Sequence, residues 1–324
     1  MTYEYQGVAE RVASYRPFCK AWLYFDSRLI HRLGKAKSIF PTPQHDNVGF
    51  YLVGVGSDKQ FSALATWTIP DLAFWGSSNG QFFPRWTYEK VEDDAIPGTL
   101  ASDEYGYRKI DNITDATLHS YQDRYGLGVT KDDVFYYVYG LLHSPEYRSR
   151  FAADLKKMLP RIPQVEAFAE YTAAGRALAE LHIGYESVEP WPVTITIDGV
   201  PEIAGSPEAQ VLAPEVFRVQ KMAFAGVGRN ADKSRIIYNP RVTISEIPAE
   251  AYDYVLGSRS AVEWLIDRYQ VKTDKASGIV NDPNDWCTEH DDPRYIVDLV
   301  ARVVRVSVES ARIVTGLPPL GLDA

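Results

Sequence analysis

Six acidic and imidazole side chains near the C-terminal end form the densest group of potential metal ligands in the chain. They are Asp282, Asp285, Glu289, His290, Asp291 and Asp292. Carboxylate oxygens are the ligands that Ca²⁺ and Mg²⁺ prefer, so a hydrolase that uses a metal at this cluster is one hypothesis. The spacing lacks the alternating oxygen ligands of an EF-hand loop, which favours a polar loop capped onto the final helix. We therefore predict no metal site.

Motifs for nucleotide or methyl-group chemistry are missing from the sequence. No Gly-x-x-x-x-Gly-Lys-Ser/Thr loop is present to bind nucleotide phosphates, so we do not expect ATP hydrolysis. Residues 225–229 contain two glycines, where a dinucleotide-binding turn needs three. Methyltransferases that modify adenine use an Asn/Asp-Pro-Pro-aromatic tetrapeptide, and the nearest strings, at residues 239–241 and 292–295, depart from it. We predict no catalytic residue and do not expect catalysis by this chain alone.

The cysteines and histidines also lack a catalytic pattern. The six histidines are scattered without the spacing of metal ligands, and no Gly-x-Ser-x-Gly elbow marks a nucleophile. Cys19 and Cys287 are far apart and form neither a disulfide framework nor a zinc motif, which fits a reducing compartment. No apolar run approaches the roughly 18 residues of a membrane helix, and the N-terminus lacks the apolar core of a secretory signal. We therefore predict a cytoplasmic protein.

Charge is distributed unevenly along the chain. The 324 residues carry a formal net charge of −9, which argues against a uniform surface for phosphate binding. However, residues 1–40 hold seven lysines and arginines against three acidic residues, and residues 216–243 hold six against one. Segregated charge of this kind can form a basic groove on an acidic protein, although charge runs are usually solvated faces. Both alternatives remain open at this point.

The elements that would position these segments alternate between β-rich and helical blocks. Residues 48–55 and 61–68 flank a Gly-Ser-Asp-Lys turn and predict a hairpin, and Asp198-Gly199 between residues 193–197 and 200–203 predicts a second one. Residues 216–224 and 235–247 predict two more strands, the second bent near Asn239-Pro240. At about 45% hydrophobic content, the chain is long enough for one large or two ordinary cores.

Helix signals are strongest in the middle and at the C-terminal end. Thr130 with Asp133 predicts an N-terminal cap, Ser144-Pro145 restarts the helix, and residues 165–182 form an alanine-rich helix. Ser260 with Glu263 is a capping box, and a long helix begins at Asp292-Pro293 and stops at Gly316. The predicted fold class is α+β with a C-terminal helical bundle. The predicted parts are 1–110 (β-rich), 111–190 (helical), 191–248 (β-rich) and 249–324 (helical).

The aromatic stretch at residues 130–163, TKDDVFYYVYGLLHSPEYRSRFAADLKKMLPRIP, resembles part of the C-terminal target-recognition region of type ISP restriction-modification enzymes. Further segments resemble the same region in the same order. They are residues 16–18 with 22–26, 80–86, 111–115, 174–186, 258–264 and 277–286. Each motif alone is weak, but together they span residues 11–318, so the resemblance covers nearly the whole chain.

This resemblance implies a module that recognises a short duplex DNA sequence for an N6-adenine methyltransferase and an ATP-dependent nuclease. Those methyltransferase and helicase/nuclease domains would belong to the same full-length protein and would use S-adenosylmethionine, ATP and Mg²⁺. No cofactor is expected in this chain. The alternatives are a protein-interaction scaffold that packs on a methyltransferase or helicase partner, and the metal-dependent hydrolase considered above.

Given DNA as the partner, lysines and arginines would contact phosphates, while arginine at guanine and Asn or Gln at adenine would read base edges. The predicted phosphate contacts are Arg28, Arg32, Lys35, Lys37, Lys221 and Lys233. The predicted base readers are Asn79, Gln81, Arg85, Arg229 and Arg235, with a structural role for Arg85 as the alternative. Trp67, Trp86 and the tyrosines of residues 136–147 are predicted to be core, and Trp75 is the one aromatic residue predicted to stack on a base.

Overall fold

The computed structural model describes residues 4–30, 33–76, 79–91, 102–207 and 209–322, and for Arg229 it describes the backbone only. The chain divides into two compact units. Unit 1 comprises Met1–Arg16, Lys20–Ala179 and Leu317–Ala324, and unit 2 comprises Pro17–Cys19 and Glu180–Gly316. The α+β fold class is confirmed, whereas the division into four parts stays a prediction.

The described residues of unit 1 form three small sheets. Their strands are β1 (Glu10–Arg16), β2 (Cys19–Tyr24, beginning at the last residue of the short unit 2 segment), β3 (Gly49–Val53), β4 (Ala63–Thr66), β5 (Ile69–Pro70), β6 (Gly80–Pro84), β7 (Trp86–Lys90) and β8 (Tyr107–Asp111). The strand orders are β2-β1-β5, β4-β3-β6 and β7-β8. The first predicted hairpin is confirmed, because β3 pairs antiparallel with β4 and places Gly49 opposite Thr66.

Some helices of unit 1 begin at a capping side chain. They are α1 (Ala36–Ile39), α2 (Asp115–Tyr125), α3 (Lys131–His143), α4 (Pro145–Arg150), α5 (Ala152–Leu155) and α6 (Phe168–Ile183, whose last residues belong to unit 2). The predicted capping box of Thr130 and Asp133 is confirmed at α3, and Ser144 caps α4. The stretch after Pro145 is not one helix, since Phe151 leaves helical geometry at φ −104°, ψ 20°.

The aromatic residues of α3 and α4 form the core of unit 1, as predicted. The ring of Phe50 on β3 stacks on Phe135 and Tyr139, at centroid distances of 4.1 and 4.5 Å. Tyr147 is buried, and its hydroxyl donates to the carbonyl oxygen of Arg161 at 2.7 Å. Because the buried Tyr147 hydroxyl has a hydrogen-bond partner, the ring can pack in the core without leaving an unsatisfied donor.

Unit 2 is built on a five-stranded sheet of order β10-β9-β13-β12-β11. Its elements are β9 (Thr194–Ile197), β10 (Val200–Ile203), β11 (Ala223–Ala225), β12 (Asp232–Ile237), β13 (Val242–Ser245), the short strands β14 (Val255–Leu256), β15 (Arg259–Ser260), β16 (Lys272–Thr273) and β17 (Val280–Asn281), and the helices α7 (Ala261–Arg268), α8 (Asn284–Glu289) and α9 (Tyr295–Thr315). The Asp-Gly hairpin β9–β10 and the Ser260–Glu263 capping box are both confirmed. The long final helix is confirmed and begins at Tyr295.

The two other strand predictions in unit 2 were partly wrong. Residues 216–224 form a strand only at β11, because Pro214–Phe217 is a 3₁₀ turn. Residues 235–247 form two strands, because the chain reverses around Asn239. The Asn239 carboxamide accepts from the amides of Arg241 and Val242, at 2.8 Å each, and so fixes that turn. None of the helices among the described residues is both long and apolar enough to cross a membrane.

Candidate nucleic-acid interface

Two of the predicted base readers, Asn79 and Gln81, lie together at the start of β6. Both are exposed, and both line a cleft of about 660 Å³ in unit 1, which we call the amide cleft. The remaining lining residues are Gly54, Val55, Gly56, Ser57, Asp58, Leu72 and Gly80. The structure thus joins the predicted amides to the turn that follows β3, a turn that no sequence motif indicated as part of a site.

Close backbone packing holds the two sides of the amide cleft together. The amide of Gly54 donates to the carbonyl oxygen of Asn79 at 3.0 Å, and a Cβ on Gly54 would lie 2.4 Å from that oxygen. Gly56 has a φ of +79°, a conformation that glycine adopts without strain. Because the turn needs both glycines, its position relative to Asn79 is determined by backbone geometry rather than by flexible side chains.

The predicted phosphate contact Lys221 lines a second cleft, of about 430 Å³, in unit 2, which we call the Lys221 cleft. Its other lining residues are Met222, Ser258, Arg259, Glu263, Ile266, Asp267 and Gln270. The guanidinium of Arg259 lies 3.6 Å from Asp267 and 5.1 Å from the ring centroid of Trp264. Lys221, Arg259, a hydroxyl and an amide offer donors that phosphate oxygens accept from, but Glu263 and Asp267 in the same lining reduce the positive charge of the cleft.

The ammonium of Lys233 forms an ion pair with Glu263, at 2.8 Å between Nζ and Oε1. It also lies 5.1 Å from the ring centroid of Tyr252. Burial by itself would raise the pKa of Glu263, but the hydrogen bonds from Lys233 and from the Ser260 amide bring that pKa below its ordinary value. Lys233 is therefore partly neutralised, and a phosphate would compete with Glu263 for it.

Three predicted phosphate contacts of the N-terminal basic segment, Arg28, Lys35 and Lys37, are exposed. Arg28 forms a two-point contact with Asp26, at 3.0 and 2.7 Å. Lys37 donates to the Ser27 hydroxyl at 3.2 Å, and Lys35 is exposed at the residue that precedes α1. Arg32 lies outside the described residues. Asp26 reduces the local positive charge, so Lys35 and Lys37 are the better phosphate donors of this segment.

Arg85 differs from Asn79, Gln81 and Arg235, which are exposed, because its side chain is only 4% exposed. Its Nε lies 3.0 Å from Asp132, its Nη1 contacts Asp111, and its guanidinium stacks on Trp86 at 3.8 Å from the ring centroid. A guanidinium held by two carboxylates and a ring has few donors left for a base edge. This geometry favours the structural alternative for Arg85.

The remaining arginine base readers belong to unit 2. Arg235 is exposed on β12. Arg229 lies in the short 3₁₀ turn Gly228–Asn230 that precedes this strand, and its side chain is outside the described part of the structure. Arg235 therefore has the exposure that a base reader requires.

The aromatic predictions were wrong at two tryptophans. Trp75, predicted to stack on a base, is 1% exposed and packs against Tyr51 and Phe74. Trp67, predicted to be core, is 45% exposed, with the ammonium of Lys20 at 5.2 Å from its ring centroid. Trp67 lies between β4 and β5, outside both strands.

The acidic residues of the segment 282–292 make separate contacts and do not converge on one site. Asp282 pairs with Arg218 at 2.7 Å, Asp292 accepts from the amide of Arg294 at 3.1 Å, and the His290 ring stacks on Trp286 at 4.2 Å. In the part of the chain that the structure describes, no group of three or more His, Cys, Asp or Glu side chains could hold a metal ion. These residues link the loop before α9 to its neighbours.

The chain has an α+β fold, with a polar cleft described in each of its two units. More particularly, the chain belongs to the family described as the Type ISP C-terminal specificity domain, whose model matches residues 2–299. None of the curated proteins matches the chain.

Three solved structures are similar to the chain over nearly all of its length. A nuclease-deletion mutant of the Type ISP restriction-modification enzyme LlaGI, in complex with a DNA substrate mimic, is 33% identical, with a TM-score of 0.79 and coverage of 100% of this chain and 26% of that one. The ATP-dependent Type ISP enzyme LlaBIII bound to DNA is 30% identical, with a TM-score of 0.83 and coverage of 100% and 19%. A cryo-EM structure of a DrdV–DNA complex is 30% identical, with a TM-score of 0.81 and coverage of 99% and 29%. The chain therefore spans between 19% and 29% of the length of these larger proteins.

Proposed function

We propose that this chain recognises a short duplex DNA sequence as the specificity module of a Type ISP restriction-modification enzyme. The observation that carries the proposal is its membership of the specificity-domain family, supported by three neighbours described with DNA or a DNA mimic. Asn79 and Gln81 of the amide cleft and Lys221 of the Lys221 cleft supply donors and acceptors of the kind that such recognition needs.

Within this proposal, phosphate contact and base reading belong to different residues. Lys35, Lys37 and Lys221 contact phosphates most readily, while Arg28 and Lys233 do so in competition with Asp26 and Glu263. The base readers are Asn79, Gln81, Arg229 and Arg235. Arg32 stays a phosphate candidate from its sequence position alone, and Arg85 is assigned to the fold.

The proposal also requires partners beyond these 324 residues. Recognition by the module would direct N6-adenine methylation and restriction by methyltransferase and helicase/nuclease domains of the same full-length protein, in the cytoplasm. Those domains would bind S-adenosylmethionine, ATP and Mg²⁺. This chain would determine which DNA sequence is recognised, and the other domains would carry out the chemistry.

Duplex affinity measured against salt concentration tests the proposal. Fluorescence anisotropy with a labelled random duplex and with a duplex obtained by selection should show a steep negative slope of log affinity against log salt, and tighter binding to the selected duplex. Absence of binding to either duplex would contradict the proposal. Hydrolysis of the duplex that appears only on addition of Mg²⁺ would instead support the hydrolase alternative.

A protein-interaction scaffold is the second candidate function, and one observation favours it. Trp22 and Trp67 are 52% and 45% exposed in unit 1, and exposed tryptophans are enriched at protein interfaces. If this candidate is correct, Trp67→Ala will abolish association with a methyltransferase-containing partner while leaving duplex affinity unchanged. Loss of duplex affinity in this variant would instead assign the ring to DNA.

A further inference from the structure

We infer that the amide cleft recognises the amino-bearing edge of a base within the duplex, with adenine as the base that fits it best, and that Asp58 is a third specificity residue beside Asn79 and Gln81. This inference rests on the proposed function, because it names the chemistry that one part of the module reads. It adds a residue that no motif of the sequence indicated.

The charge of the cleft excludes a phosphate as its ligand. Its lining contains one carboxylate, Asp58, two amides and a hydroxyl, and no lysine or arginine is among the lining residues that the structure describes. The Asp58 side chain is 76% exposed, and the nearby Lys59, at 3.5 Å, is only 19% exposed. Lys59 partly offsets the charge of Asp58, but no cation is among the described lining residues, so the exposed carboxylate would still oppose a phosphate by like-charge repulsion.

Hydrogen-bonding chemistry selects among the four base edges. In the major groove adenine presents the N7 acceptor and the N6 amino donor, and a carboxamide can contact both atoms at once. A carboxylate only accepts hydrogen bonds, so Asp58 fits an amino group of adenine or cytosine. Guanine presents O6 and N7, and thymine presents O4, all of them acceptors that a carboxylate repels. Two amides beside one carboxylate therefore favour adenine.

The residues are held in a geometry suited to this task. Gly80, between the two amides, pairs with Val53 across the β3–β6 ladder, and its amide donates to the Tyr51 hydroxyl at 3.2 Å. That hydroxyl donates in turn to the carbonyl oxygen of Leu72 at 2.8 Å. A Cβ on Gly80 would lie 2.2 Å from the Tyr51 ring. Because strand and ring are in direct contact, the amides project from a rigid support, which specific contacts require.

A base extruded from the duplex is a poorer ligand for this cleft. Sites that hold an extruded base place its face between aromatic or apolar side chains. Among the described residues that line the amide cleft, none is aromatic, and the apolar side chains are Val55 and Leu72. The cleft therefore suits the edge of a paired base better than the face of an unpaired one.

The test is a selection of duplexes from a randomised library by the chain and by its Asn79→Ala, Gln81→Ala and Asp58→Asn variants. We expect the duplex sequence that the wild-type chain selects to contain an adenine. At this position both alanine variants should lose discrimination against the best competing base, by about 5- to 150-fold. Asp58→Asn should increase acceptance of guanine or thymine at the same position, because a carboxamide also donates. Replacing that adenine by 7-deazaadenine should weaken wild-type binding and should have little effect on Asn79→Ala.

Gln44→Ala and Asp123→Asn are matched controls, since both alter exposed residues of unit 1 outside the cleft. Full retention of the selected sequence by all three cleft variants would overturn the inference while leaving the proposed function intact. Relaxation at a guanine or thymine position would also overturn it. Failure of the wild-type chain to select any sequence would instead overturn the proposed function, and the inference with it.

Discussion

Gly140 of α3 and Gly175 of α6 meet where these two helices cross in unit 1. A Cβ on Gly175 would lie 1.9 Å from the carbonyl oxygen of Tyr136 and 2.6 Å from the amide nitrogen of Gly140. A Cβ on Gly140 would lie 2.1 Å from the carbonyl oxygen of Tyr171. Since backbone meets backbone, neither position has room for a side chain.

Alanine at either glycine should therefore destabilise the protein. The gain in helix propensity is about 1 kcal/mol, whereas overpacking costs about 3 kcal/mol or more where no flexible side chain can move. We expect Gly140→Ala and Gly175→Ala each to lower the free energy of unfolding by about 2 kcal/mol or more, measured by urea denaturation. Gly128→Ala, in a loop where a Cβ would meet nothing within 4 Å, is the control and should change stability little.

Substitution of Arg85 should mainly reduce the stability of the folded protein. Arg85→Ala removes a buried guanidinium from Asp111 and Asp132, and breaking such a pair costs about 3 kcal/mol. Arg108→Ala, which breaks the exposed pair with Glu89, should cost less than about 1 kcal/mol and serves as the control. Normal stability of Arg85→Ala, together with relaxed selection at one base pair, would establish the base-reading role instead.

Stability should depend on pH through Glu263. Its pKa is depressed in the folded state, so the ion pair with Lys233 contributes stability above the unfolded pKa of about 4.3, and this contribution is lost as pH falls through the folded pKa. Lys233→Met should therefore be less stable than wild type at pH 7, with a difference that shrinks below about pH 4. Urea denaturation across pH 3–7 measures this difference. In a Glu263→Gln background the effect of Lys233→Met on stability should not depend on pH. If wild type and Lys233→Met differ in stability at pH 3 as much as at pH 7, the ion pair with Glu263 is not the cause.

Arg235 should contribute to specificity rather than to general affinity. Arginine contacts guanine through O6 and N7, so Arg235→Ala should relax selection at one G·C pair by about 1–3 kcal/mol of discrimination. Random-duplex affinity should fall only modestly. Arg241→Ala is the control, because Arg241 is an exposed arginine of the same unit that is held by Asp198. Equal losses of affinity for selected and random duplexes in Arg235→Ala would show that it contacts phosphate.

Lys221 should act on all sequences alike. Lys221→Ala should weaken binding to selected and random duplexes to the same degree and lower the slope of log affinity against log salt by about one. Anisotropy titrations between about 50 and 200 mM salt resolve such a change. A change confined to the selected duplex would move Lys221 from the phosphate contacts to the base readers.

Features that depend on neighbouring residues could be predicted from the sequence. The capping boxes at Thr130 and Ser260 and the turn at Asp198-Gly199 lie where they were predicted, because each joins groups only a few residues apart. The α+β class and the family also followed from local signals taken in order. The bend predicted near Asn239 is a full reversal of the chain. It was not predicted as one, because the hydrogen bonds that stabilise it had no sequence signature.

Burial and the grouping of distant residues were decided only by the tertiary structure. Asn79 was predicted from the sequence as a base reader, but only the pairing of β3 with β6 brings it to the turn that carries Asp58. Likewise, Arg85 is buried because Asp111 and Asp132, 26 and 47 residues away, close around it. Trp75 and Trp67 exchange their predicted environments for the same reason: whether a ring is covered depends on which remote segment packs on it, and local residue type carries no record of that partner.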